Sequence, residues 1–114
     1  MRIKYIAPGK IKINDKRYRD PILVSSEGVV FSWEKNFHLK RESIIEILKE
    51  EPDMLIIAAD SDLSSVSPEG QSLLKEKGVI LVMDQTHEAI NAFNKAKKSN
   101  KKILALFPLQ ELDK

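Results

Sequence analysis

Four residues in the second half of the chain have the types and spacing to hold a ligand. Asp60, Ser61 and Asp62 follow a continuous apolar run, and Thr86 follows the next one. Two carboxylates flanking a hydroxyl, with helix N-termini close by, could hold a divalent cation or a polar ligand. The same short Asp/Ser stretch is also ordinary capping chemistry, able to satisfy the free N–H groups of the helices that follow. The obvious general bases are His38 and His87. Neither has the nucleophile and orienting partner that a triad needs, so no catalytic residue is assigned. His38, between Phe37 and Leu39, reads as a structural hydrogen bonder at a strand end, and His87 as a solvent-facing residue of a helix.

Other chemistries lack their residues. Cysteine is absent, which removes disulfides, thiolate metal sites and cysteine nucleophiles. No His-x-x-x-His or Glu-x-x-His spacing occurs, so no metal is expected. The glycines of a phosphate-cradling loop or a dinucleotide fingerprint are missing, so no cofactor is expected either. Two basic runs remain, Lys16-Arg17-Tyr18-Arg19 and Lys95 to Lys102. Strand alternation should turn the two arginines to solvent and Tyr18 inward. The second run falls at a helix C-terminus, where lysines meet the negative dipole end. With no aromatic stacking platform beside the lysines, nucleic acid is not an expected partner.

The elements that must position these residues follow from periodicity. In the first forty residues, Ile3 and Tyr5 alternate with Lys4, and Ile11 and Ile13 with Lys12, the period of half-buried strands. Pro8-Gly9, Asn14-Asp15 and Glu27-Gly28 are turn chemistry between such runs, giving an antiparallel meander. Val29, Phe31 and Trp33 share one strand face. Beyond them, Arg41–Lys49 spaces its isoleucines helically, and Pro52 stops it. Met54–Ala59, Val79–Met83 and Ile103–Phe107 read as strands buried on both faces. Ser67-Pro68-Glu69 opens a helix with an N-cap serine and a first-turn proline, and Gly78 closes it. Thr86 or Asp84 caps a further helix whose Ala89, Ala92, Phe93 and Ala96 form one stripe, with Asn100 as its C-terminal stop.

The resulting expectation is an α/β fold with a mixed sheet: antiparallel N-terminal strands plus a C-terminal β-α-β-α-β parallel unit, with helices packed on the sheet. Length and the absence of a linker suggest one domain, residues 1–114. Trp33 and Phe93 are expected in one continuous core. With 42% hydrophobic and 32% charged residues the composition is globular. No apolar leader opens the chain, and its apolar runs fall far short of the ~20 residues that cross a bilayer. A cytoplasmic chain without membrane insertion is the expectation. Residues 1–41 carry ten basic against four acidic side chains and residues 42–114 nine against thirteen, so the net +2 conceals two halves that partly neutralise each other.

Several stretches together resemble a known family. They are Asp15-Lys16-Arg17-Tyr18-Arg19-Asp20, Trp33 with His38 five residues later, and Pro52-Asp53-Met54-Leu55-Ile56-Ile57, then Ser67-Pro68-Glu69, Gly78-Val79, and Thr86 to Asn94. In order and spacing the chain is similar, from about Gly9 to Leu109, to a small domain of unknown function. That domain is shared by the mammalian adipogenesis-associated domain protein, a mitochondrial respiratory complex I assembly factor and many uncharacterised prokaryotic proteins. Two departures stand out. Ala58-Ala59-Asp60-Ser61 replaces a Gly-Thr-Gly turn, removing glycines that would let amides approach a phosphate. Lys98-Ser99-Asn100-Lys101 replaces a Gly-Arg pair. The resemblance supplies no catalytic residues. It implies a non-enzymatic protein-binding or assembly module with an unidentified protein partner. The alternative is a small-molecule or anion binder, or a hydrolase, using Asp60, Ser61, Asp62 and Thr86. Neither reading fixes an oligomeric state.

Overall fold

A computed structural model describes residues 2–33, 37–59 and 64–109, and among these the chain forms ten strands and three helices. In chain order they are β1 (Ile3–Ala7), β2 (Lys10–Ile13), β3 (Lys16–Tyr18), β4 (Ile22–Ser25), β5 (Val30–Ser32), β6 (His38–Leu39) and α1 (Arg41–Leu48). There follow β7 (Met54–Ala58), β8 (Ser65–Val66), α2 (Pro68–Glu76), β9 (Ile80–Asp84), α3 (Thr86–Ala96) and β10 (Ile103–Phe107). The first three strands make an antiparallel sheet whose turns pass through Gly9 at φ 79° and Asn14 at φ 55°. Glycine and asparagine tolerate that left-handed region with little strain.

The central sheet has the order β5-β4-β10-β7-β9. Its β7, β9 and β10 run parallel, and β4 and β5 are antiparallel. Right-handed crossovers explain where the helices lie. The chain steps outward from β7 to β9 through α2, then back past β7 to β10 through α3. Reversing the step with the same hand puts α2 and α3 on opposite faces. Side-chain alternation sorts the strands accordingly. Ile56, Ile103, Ala105 and Phe107 join Phe93 of α3 and Ile3, Ile11 and Ile13 of the first sheet in one core. Leu55, Ile57, Leu104 and Leu106 join Ile44 of α1 and Leu74 of α2 in another.

This two-sided sheet corrects the expectation of one continuous core. Phe93 is fully buried in the first cluster, whereas Trp33 packs half-buried against the second. The alternation that sends Phe31 and Trp33 to one face is the cause, since α3 lies on the other. The strand Ile80–Asp84 is also not buried on both faces. Among the described residues it is the sheet edge, with Ile80 48% and Met83 39% exposed.

Helix ends follow local chemistry. The Ser67 hydroxyl accepts the Gly70 N–H at 3.0 Å, Pro68 fills the first helical position, and Gly78 at φ 72° ends α2 as expected. The cap of α3 is instead Gln85, extended at φ −60° and ψ 156°, with its own N–H held by Asp84 Oδ1 at 2.9 Å. That bond engages Asp84 one residue too early to cap the helix, and Thr86 is already its first helical residue. Asn100 does not stop α3. The helix ends at Ala96, whose carbonyl is taken by the Ser99 hydroxyl at 2.7 Å.

Candidate functional site

At their C-terminal ends β7 and β9 lie side by side, with Ala58 opposite Asp84 and the Ala59 N–H donating to the Asp84 carbonyl at 2.7 Å. The sequence places its ligand candidates at these strand ends. Asp60, Ser61 and Asp62 lie outside the described residues. Thr86 stands at the start of α3 beside the end of β9 and is 6% exposed. His87 is solvent-facing as expected, its ring 5.2 Å from that of Tyr5 and tilted by 55°. His38 has the structural role read for it. Its Nδ1 lies 2.8 Å from the Ser65 hydroxyl and ties the two partners of the short parallel β6–β8 pair. Among the described residues, no three His, Asp or Glu side chains cluster as a metal site would require.

Asn94 has a role that sequence reasoning did not assign. Its side-chain amide donates to the Ile3 carbonyl at 3.0 Å and accepts the Ile3 N–H at 3.3 Å. One side chain thus imitates a strand neighbour and fastens α3 to β1. The only signal for it was a polar residue beside Phe93 on a helix that otherwise packs through its apolar stripe.

Charge gathers at the opposite end of the central sheet. Tyr18 packs against the first core while Arg17 is exposed, as alternation requires, and Lys16 Nζ sits 5.2 Å above the Tyr18 ring. With Arg19, Asp20, Ser32 and Trp33 these residues line a groove of about 430 Å³, in which three cations outnumber one carboxylate. On the α1 side a second groove, of about 470 Å³, is lined by Ser32, Trp33, Glu42, Ser43 and Glu46. The two share Ser32 and Trp33, so a cationic and an acidic groove flank one strand edge. That edge is open: among the described residues β5 pairs with β4 alone. The Trp33 N–H donates to the Pro21 carbonyl at 2.9 Å, and the Val29 carbonyl accepts the Ser25 N–H at 2.8 Å. Odd-numbered residues therefore turn their backbone groups to β4, and Val30 and Ser32 turn theirs outward. No sequence signal could have joined these grooves, because Lys16–Arg19 and Glu42–Glu46 meet only through the fold.

The lysine run near the end of α3 is partly engaged within the fold. Lys95 lies in the last turn, and Lys102 Nζ is 3.3 Å from Glu27 and 3.6 Å from Glu50. No helix among the described residues is long and apolar enough to cross a membrane.

A family model described as a protein of unknown function (DUF498/DUF598) matches residues 3–108. No curated protein matches the chain. Among solved structures, a conserved hypothetical protein from Pyrococcus horikoshii is similar with a TM-score of 0.83 and 21% identity, over 97% of this chain and 100% of the other. A Xanthomonas campestris protein gives 0.80 at 13% identity, over 97% and 86% of the two chains. A Bordetella pertussis protein described as an Mth938-like domain gives 0.70 at 16% identity, over 96% and 87%. At these identities the likeness is one of fold.

Proposed function

Because the chain belongs to the DUF498/DUF598 family of proteins of unknown function, we propose its role from its own surface: a non-enzymatic protein-binding module that takes an extended segment of a partner along the open edge of β5. The observation that carries this reading is the pair of oppositely charged grooves on either side of that edge. An added strand would bond to the outward backbone groups of Val30 and Ser32 and turn alternate side chains to opposite faces. Carboxylates on one face would meet Lys16 and Arg17, and cations on the other would meet Glu42 and, in competition with Lys49 at 2.9 Å, Glu46. The preferred partner segment therefore alternates acidic and basic residues. A second copy of β5 is disfavoured, since strands joined in one sheet keep their faces and would set the cationic groove against its own kind. The resemblance to an assembly factor points in the same direction.

Trp33, the lone tryptophan, lines both grooves and reports their occupancy. A short peptide of alternating Glu and Lys should change its emission saturably, and more weakly as salt rises. A peptide of equal composition with its charges in two blocks should bind markedly less. Equal binding of both would reduce the effect to bulk charge and refute strand addition, as would no binding of either. Arg17→Glu should weaken the alternating peptide without altering the fold.

A further inference from the structure

At the far edge of the central sheet from β5, we infer that β9 is the interface between two copies of this chain, joined antiparallel about Val82 into one continuous sheet. Natural edges are blunted by short length, lysine, proline or a bulge. This edge reads Ile80-Leu81-Val82-Met83-Asp84, pairs with β7 without a break along its whole length, and leaves Ile80 and Met83 exposed.

The backbone selects the register. Ile80 donates its N–H to the Asp53 carbonyl, and the Asp84 carbonyl accepts from Ala59, so residues 80, 82 and 84 face β7. Leu81 and Met83 consequently present their N–H and C=O groups outward. Pairing centred on Val82 sets Leu81 against Met83 of the second copy, twice by symmetry, and closes four main-chain hydrogen bonds. Centring on Leu81 would require Val79, whose N–H is already held by the Leu74 carbonyl at 2.9 Å. Centring on Met83 would require Gln85, whose N–H is held by Asp84 Oδ1 at 2.9 Å. The Val82 register alone uses groups left open among the described residues.

Charge agrees with it. Asp84 falls opposite Ile80 of the second copy, so the two carboxylates stay apart, and exposed Met83 meets Leu81. A five-residue edge is small beside the ~1,200–2,000 Å² of a standard stable interface, so the dimer forms in a concentration-dependent equilibrium. This inference stands apart from the reading of β5, which uses the opposite edge.

The absence of cysteine supplies a clean test. In the Val82 register the two Val82 residues form a non-hydrogen-bonded pair with Cα atoms about 4.5 Å apart, within reach of a disulfide. The two Ile80 residues would lie roughly 14 Å apart along the strands, beyond it. Under mild oxidation Val82→Cys should give a covalent dimer and Ile80→Cys should not. Wild-type protein in sedimentation velocity should pass from monomer to dimer as concentration rises. Met83→Lys should remain monomeric with an unchanged far-UV spectrum and melt. Monomer at every concentration overturns the inference, and so does a dimer in which Ile80→Cys cross-links as well as Val82→Cys, or in which neither does.

Discussion

Phe93→Ala tests the arrangement on which both surfaces depend. The ring is fully buried in the cluster between α3 and the central sheet. Ala89, Ala92 and Ala96 surround it on the helix, and their small side chains let α3 lie close, with the ring filling the remaining space. None of them can extend into the vacated volume, so truncation leaves a cavity and should cost about 3–5 kcal/mol. For a chain of 114 residues the unfolding entropy near the midpoint is about 240 cal/mol/K, so the melting temperature should fall by about 12–20 °C. Far-UV circular dichroism and Trp33 emission, followed together, should give the same lowered midpoint. The emission maximum of the folded variant should stay at the wild-type value, because Trp33 packs on the other face of the sheet. An unchanged midpoint would mean that the wrong face of α3 has been assigned to the core. A shifted folded-state emission would mean that the two rings share one environment, and the division into two cores would be wrong.

Three further substitutions probe single contacts. Ser67→Ala removes the acceptor for the Gly70 N–H and should lower stability by about 1 kcal/mol, read from the urea midpoint. Gly70→Ala should destabilise by about 1–3 kcal/mol although alanine is the better helix former. Its Cβ would sit 3.0 Å from Ile44 Cγ1 and 3.1 Å from Val66 Cγ1, so both buried side chains would have to give way, and a raised melting temperature would contradict that close approach. Asn94→Ala leaves the Ile3 amide and carbonyl without their side-chain partner and should cost about 1–3 kcal/mol, with the Ile3 amide gaining hydrogen exchange before the core strands do.

Features governed by neighbours in the chain were legible in the sequence. Ser67, Pro68 and Gly78 bound α2 because capping needs only a few adjacent residues. The Glu27-Gly28 turn joins β4 to β5, with Gly28 at φ 93°, for the same reason. The apolar runs correctly marked β7 and β10 as interior strands. What stayed hidden depends on elements far apart in sequence. Nothing local says that β10 inserts beside β4 and so moves α3 to the other face, or that Asn94 will meet the backbone of Ile3. Of the strand-end ligand candidates, Thr86 lies where the pattern put it, at the end of β9. The charged grooves beside β5 had no signature at all, because each half is an ordinary exposed run until β3, β5 and α1 come together.

The misreading of β9 has a different origin. An apolar run reports that a strand avoids water, and the avoidance can come from helices above and below or from strands to the side. For β7 and β10 both sources lie within the chain. For β9, α2 and α3 cover much of the two faces, β7 covers one side, and among the described residues no strand pairs on the other. Its composition is nonetheless that of an interior strand, with no lysine or proline to discourage pairing. The β5 edge differs in kind: it is three residues long, finished by a serine, and flanked by charged grooves that would select a charged partner segment. One sheet therefore has a charge-flanked edge and an apolar one, and packing within a single copy does not account for the apolar one. Pairing between two copies does, because in the dimer β9 has a strand on either side. The pattern that reads as interior then describes the position that the strand occupies in the assembly.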